Sequence, residues 1–315
     1  MSLADYTKLI DAETWAFIDK TNGFYPPDAS ELSIVENRVI YDRMCRAFFA
    51  GYPDGVVVED SIVPQTDHVI PVRLYRSQSG TAQAQVVYFH GGGFVLGGLD
   101  SHDDICAELC QRTGFDVTSV DYRLAPEHVH PAAFDDALAA FEWACSRSPL
   151  PVVLCGDSAG GNLAAAVSHA TRRHQRRPAG QMLIYPGLGG DQTGGSYLTH
   201  AHAPMLTAKD IDMYRTIRSG GREVTGDITS APLADADFSN LPPTVIITAE
   251  CDPLSSDGEA YASRIHSAGG KAWWFEEPGL VHGYLRGRHS VGRAATSFSR
   301  IVDAVSALGR GNWVL

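Results

Sequence analysis

Pro151-Val152-Val153-Leu154-Cys155-Gly156-Asp157-Ser158-Ala159-Gly160-Gly161-Asn162-Leu163-Ala164-Ala165-Ala166-Val167 is the stretch whose reading decides the fold. Residues 151–155 are apolar and largely β-branched, as in a short buried strand, and residues 162–167 favour helix. A Gly-x-Ser-x-Gly run also occurs in ordinary glycine-rich turns. With a strand before it and a helix behind it, the run becomes a sharp turn that holds the Ser158 hydroxyl out over a sheet edge. Small residues are needed at 156 and 160 because side chains flanking so tight a turn would collide with the neighbouring strand and helix.

Outward from this turn, the chain alternates between strand and helix. Residues 56–63 and 69–75 are β-branched runs around the polar turn Pro64-Gln65-Thr66-Asp67, an antiparallel pair. Residues 84–89 form a third strand, which enters His90-Gly91-Gly92-Gly93-Phe94 directly. Backbone N–H groups in such a loop can point into a cavity and receive a developing oxyanion, although a flexible glycine loop has the same composition. A helix at 101–112, a strand at 115–120 and a helix at 134–145 lead to the quoted stretch. Beyond it come strands at 181–185, 244–249 and 271–275, helices at 257–268 and 296–308, and a loop at 277–284. This alternation implies a mostly parallel central sheet flanked by helices.

Two segments stand apart from that rhythm. In residues 1–50, Asp28 and Glu31 behind Pro26-Pro27 resemble a capping box, and Leu32, Val35, Val39, Met44 and Phe48 recur at helical intervals. Residues 191–230 hold Met205-Leu206-Thr207 and a helical run at 211–217. Either segment pads the core or lies over the site as a helical cap. The expected division is an N-terminal helical cap segment at 1–50, core at 51–190, a second cap segment or insert at 191–230, and core again at 231–315.

The 315 residues, 44% hydrophobic and 20% charged, have the composition of a globular protein, with no uncharged apolar run long enough to span a bilayer. Residues 1–20 mix Asp5, Lys8, Asp11, Glu13 and Asp19 with apolar residues and lack the pattern of a secretory signal, so cytoplasmic residence is expected. A net charge of -12 disfavours nucleic acid and anionic membrane surfaces as partners. The six cysteines include no Cys-x-x-Cys pair, and Cys106 and Cys110 share a helix face, which suits reduced, packed thiols.

A serine hydroxyl needs a histidine base, and the base needs a carboxylate to orient it. In this type of fold both follow the serine, the acid first. Asp252 stands just beyond the strongest strand. Its rivals are Asp257, which reads as a helix cap, and Glu250. Among the histidines after Asp252, His266 lies within a helix and His289 lies beyond the last loop, whereas His282 follows the final strand. The order Ser158, Asp252, His282 places each residue beyond a strand's C-terminal end, where α/β sheets gather their sites. Asp121-Tyr122-Arg123-Leu124-Ala125-Pro126-Glu127-His128 is charged enough to invite a metal reading with His130, but a hydrogen-bonded structural loop accounts for it. His200 and His202 read as surface histidines.

These motifs in this order resemble the bacterial branch of the hormone-sensitive-lipase family of α/β-hydrolases, which includes acetyl esterases and other short-chain carboxylesterases. The resemblance rests on His90-Gly91-Gly92-Gly93-Phe94, Tyr122-Arg123-Leu124-Ala125-Pro126-Glu127-His128, Gly156-Asp157-Ser158-Ala159-Gly160-Gly161, Asp252-Pro253-Leu254 and His282-Gly283-Tyr284. It implies an α/β-hydrolase fold with an N-terminal cap, a Ser158–Asp252–His282 triad, an oxyanion hole from the N–H groups of Gly92, Gly93 and Ala159, and a small-molecule ester substrate with a short acyl chain. The chain departs from the family at Ser255-Ser256-Asp257-Gly258, where many relatives carry an Arg-Asp-Glu-Gly type run.

The expected chemistry needs no metal or organic cofactor, and activity should fall as His282 protonates in acid. Phe94, Leu206 and Tyr214 are the candidate pocket walls. Amide, carbamate or lactone cleavage on the same triad is the alternative reading. A non-catalytic small-molecule receptor is a more distant one, and a homodimer through an edge strand is also open.

Overall fold

A strand that is apolar on both sides must be covered on both sides, and that requirement organises this chain. The computed structural model describes residues 4–27, 32–78, 80–224 and 226–313. The chain opens with helices α1 (Tyr6–Leu9), α2 (Ala12–Asn22) and α3 (Ile34–Phe48), followed by strands β1 (Val56–Pro64), β2 (Val69–Ser77) and β3 (Gln85–Phe89). Next come α4 (Asp103–Thr113), β4 (Asp116–Val120), α5 (Ala132–Arg147), β5 (Val152–Asp157), α6 (Ala159–Thr171) and β6 (Gly180–Ile184). The remainder is α7 (Ser196–Thr199), α8 (Ala208–Ser219), β7 (Thr244–Cys251), α9 (Ser255–Ser267), β8 (Ala272–Val281) and α10 (Gly292–Gly309).

Eight strands form one sheet in the order β1-β2-β4-β3-β5-β6-β7-β8. β2 pairs antiparallel with β1 and β4, and every other pairing is parallel. This is the mostly parallel, helix-flanked sheet expected from the alternation, and the α/β-hydrolase architecture that the resemblance implies. Side chains leave each strand alternately to either face. Val86, Tyr88, Val153 and Cys155 join one apolar layer with α4 and α10, while Val87, Phe89, Val152 and Leu154 join the other with α5, α6 and α9. All six cysteines are buried and free. Among the described residues, no helix is long and apolar enough to cross a membrane.

The Asp28/Glu31 capping box lies outside the described residues. α3 is capped by Ser33 with Glu36: the Ser33 Oγ accepts the Glu36 N–H at 3.3 Å and a Glu36 carboxylate oxygen accepts the Ser33 N–H at 2.8 Å. Two local readings need correction. The buried face of α3 is Tyr41, Met44 and Cys45, which leaves Val35 and Val39 about 65% exposed. Finally, residues 277–281, read as part of a loop, continue β8 despite Pro278 and Gly279. The breaker pair sits at an irregularity in the β7–β8 pairing, where the Glu250 carboxylate accepts the Gly279 N–H at 2.7 Å and lets the strand resume.

Candidate active site

Parallel strands deliver their C-terminal ends to one edge of the sheet. There β3 runs into His90-Gly91-Gly92-Gly93, β5 into Ser158, β7 into Asp252 and β8 into His282. In the β5–α6 turn Ser158 adopts φ 54° and ψ -115°, a strained conformation held by its surroundings. Its N–H donates to the Ile184 carbonyl at 2.9 Å. A Cβ on Gly160 would overlap the Phe89 carbonyl, and one on Gly156 would meet that same oxygen at 2.7 Å. The turn therefore closes onto β3 only with glycine at both places.

Three side chains are bonded in line. His282 Nε2 is 2.8 Å from Ser158 Oγ, and His282 Nδ1 is 2.6 Å from Asp252 Oδ2. Asp252 is fully buried, and its second oxygen accepts the Leu254 N–H at 2.9 Å. With Nδ1–H donated to the carboxylate, Nε2 is left as the acceptor for the serine proton. The rivals are engaged elsewhere. Glu250 holds Gly279, His266 bonds the Ala272 carbonyl at 2.8 Å, and His289 faces Glu108 at 3.4 Å. Asp257 is not the helix cap the sequence implied. It is buried and accepts from the Leu188 N–H at 2.6 Å, the Gly190 N–H at 3.3 Å and the Tyr197 hydroxyl at 3.2 Å, bracing the loop after β6. Burial pushes its carboxyl up to about 6 against the pull of those bonds.

In the glycine loop, Gly92 and Gly93 take φ 123° and 63°. The Gly92 carbonyl accepts from Val95 and Leu96 at 3.1 and 2.9 Å, whereas among the described residues the Gly92 and Gly93 amides donate no hydrogen bond. Ala159 is the first residue of α6, so its amide has no acceptor within the helix. Asp157 ties this loop to the serine turn: its Oδ1 accepts the Gly91 N–H and the Tyr88 hydroxyl, each at 2.9 Å, and its Oδ2 lies 3.2 Å from His102 Nε2. Burial alone would raise the Asp157 carboxyl. His102, the Arg286 charge and the Tyr88 hydroxyl outweigh that and hold it well below the usual carboxylate range. Burial lowers His90 to about 4, and the neutral ring stacks on Tyr122 with centroids 4.3 Å apart.

Ser158 opens into a cavity of about 820 Å³ whose lining includes Gly93, Phe94, Ala159, Leu206 and Tyr214. The Tyr214 ring fills the space a Gly93 side chain would need, so α8 packs directly on the glycine loop. From the other side, Arg38 of α3 donates to the Val95 and Ala125 carbonyls at 2.8 and 2.9 Å and grips Glu127 with two bonds of 2.8 Å. Arg286, in the turn after His282, bonds Tyr41 and Cys45 of α3. The loop at 121–128 is thus structural. Its Glu127 is engaged with Arg38, and nearby His130 with Asp227 at 2.8 Å. Among the described residues no cluster of potential ligands suits a metal ion. His202 is exposed, but His200 is half-buried, 3.3 Å from the Tyr6 hydroxyl, because α1 packs over it.

Sequence reasoning assigned no role to Asp157, His102, Asn162 or Arg218. An acid ending an otherwise apolar strand was the available signal for Asp157. For Arg218 it was the Ile211, Tyr214, Arg218 stripe on α8.

A family model for the alpha/beta hydrolase fold matches residues 86–286. A carboxylic ester hydrolase of Mycobacterium tuberculosis is 36% identical over 87% of this chain and 76% of its own length. An ethyl acetate hydrolase of Pseudomonas putida is 32% identical over 82% of this chain and 86% of its own. Among solved structures, an ester hydrolase from the metagenome of Lake Arreo superposes with a TM-score of 0.87 at 31% identity, covering 95% of this chain and 99% of its own.

Proposed function

This chain belongs to the α/β-hydrolase family, in its hormone-sensitive-lipase-like branch, and on that premise we propose that it is a serine carboxylesterase acting on small esters with short acyl chains. The observation that carries the reading is the line of hydrogen bonds from Ser158 through His282 to Asp252, at 2.8 and 2.6 Å, on the wall of a cavity. His282 Nε2 takes the Ser158 proton as Oγ attacks the acyl carbon. The tetrahedral oxyanion is held by the amides of Gly92, Gly93 and Ala159, each contributing about 3 kcal/mol in the transition state. His282 then protonates the departing alcohol, and a water deprotonated by the same ring releases the acid. Asp252 keeps the ring in its working tautomer throughout.

Residues 1–50 and 191–230 act as the cap in this proposal. Phe94, Leu206 and Tyr214 bound the substrate space, and their bulk favours short acyl chains. The bonded His282 favours catalysis over passive binding, since a receptor has no use for a base poised on a strained serine. The test is hydrolysis of p-nitrophenyl esters from acetate to palmitate by wild type and Ser158→Ala. Wild type should be fastest on short chains, and the variant should lose about 10⁴-fold or more in kcat. Activity that survives the substitution would overturn the serine assignment. Rates that climb toward palmitate would overturn the short-chain one.

A further inference from the structure

The cavity beside Ser158 contains a cation that has no counter-ion among the described residues. Arg218, in the last turn of α8, lines it and is 8% exposed. Its guanidinium lies over the Phe94 ring, 3.5 Å from the centroid. Nη1 donates to the Ser230 carbonyl at 3.1 Å, and Nη2 donates to Asn162 Oδ1 at 3.2 Å and the Thr229 carbonyl at 3.4 Å. Every one of these partners is neutral. Of the five N–H groups of an arginine, these bonds use three, and Nε is buried with no acceptor among the described residues. Asp227, the carboxylate that acts on Arg218 from a distance, is itself bonded to His130 at 2.8 Å and to the Thr229 hydroxyl at 2.7 Å. Burial without an ion pair disfavours the charged form and moves the Arg218 pKa down.

The remaining charged residues of the lining are Asp191, Arg215, Arg222 and Glu223. All four are exposed, and their charges cancel in pairs, so Arg218 sets the charge of the interior. Its partner Asn162 stands one turn along α6 from Ser158, about 6 Å in rise. A group bound at Arg218 would therefore lie a short aliphatic chain away from the reacting carbonyl. A buried, under-satisfied guanidinium at that distance, with one Nη1 N–H uncommitted, matches a carboxylate, which accepts a charge-assisted hydrogen bond from it.

We propose that Arg218 is a specificity-determining residue and that the preferred substrates are esters carrying a carboxylate a few atoms from the scissile carbonyl, such as half-esters of short dicarboxylic acids. This deepens the esterase reading and rests on it.

The test compares kcat/KM, by pH-stat at neutral pH, for monomethyl glutarate and its neutral isostere methyl glutaramate. The same comparison with the acetate esters of γ-hydroxybutyrate and γ-hydroxybutyramide places the charge on the alcohol side. Wild type should favour the charged member of at least one pair by about tenfold or more, the strength of a charge-assisted hydrogen bond. Arg218→Met should abolish that ratio and Arg218→Lys should retain part of it. A ratio is read because a general packing defect lowers both members alike. No preference in either pair, or a preference that survives in Arg218→Met, overturns the proposal. If wild type cleaves no ester, the esterase reading fails by itself. Calorimetric titration of Ser158→Ala with monomethyl glutarate and methyl glutaramate then decides the anion site: tighter binding of the charged ligand upholds it, and equal or absent binding removes it.

Discussion

Asp157, in the seam between β5 and the glycine loop, and Asp257, behind the loop that follows β6, are 2% and 1% exposed, yet their carboxyls are shifted in opposite directions. The Asp157 carboxyl is drawn well below the usual range, whereas the Asp257 carboxyl is pushed up to about 6. Burial acts the same way on both, so the difference comes from the neighbours. Asp157 faces His102 and the Arg286 charge. Asp257 has two backbone amides and a tyrosine hydroxyl, and its Oδ1 has no hydrogen-bond partner among the described residues. The seam beneath Ser158 is therefore built around a fixed negative charge, and the loop on the cavity side is braced by a group that can take up a proton near pH 6.

The largest effect should come from neutralising the seam. Asp157→Asn removes the counter-charge of Arg286, the carboxylate facing His102 and a strong acceptor for Gly91, so it should cost about 3–5 kcal/mol in urea unfolding. A loss below about 1 kcal/mol would mean that the seam does not depend on charge.

Next comes the pH response at Asp257. Its folded pKa, about 6, lies above its ordinary 3.8, so between those values the folded chain binds the extra proton. The wild type should thus gain stability relative to Asp257→Asn as pH falls from about 7 to about 4, by up to about 3 kcal/mol. The gain is absent above the folded pKa. Urea midpoints of both proteins across this range measure it, and a constant difference would erase the contrast with Asp157.

The smallest effect lies at the edge of the seam. Arg38→Met cuts α3 loose from Val95, Ala125 and Glu127, and because the Glu127 side chain is half exposed the loss should be about 1 kcal/mol. It should raise KM for p-nitrophenyl butyrate more than it lowers kcat. A selective fall in kcat would mean that α3 also orders the glycine loop.

Much of the fold was legible because strands and turns carry local signals. The β5–α6 turn announced itself through a buried strand, two obligatory glycines and a helix, and chain order after Ser158 narrowed the proposed acid and base to Asp252 and His282. Long-range partners escaped, because they are set by segments far apart in the chain. Asp257 has the sequence context of a helix cap, and only the arrival of the 188–190 loop makes it a brace. Val35 and Val39 keep helical spacing with Met44 and Phe48, yet α3 buries Tyr41, Met44 and Cys45 because Val95, Leu96 and Ala125 approach from that side.

By itself, then, the sequence determined the parallel sheet, the strained serine and the order of the three bonded residues, since hydrophobic period, glycine placement and chain order act within a few residues or along the chain. Only the tertiary structure decided which buried charges are compensated. Arg218 and Asp157 draw their surroundings from segments far apart in sequence, and the energy of a buried charge depends on what stands within a few ångströms of it in space.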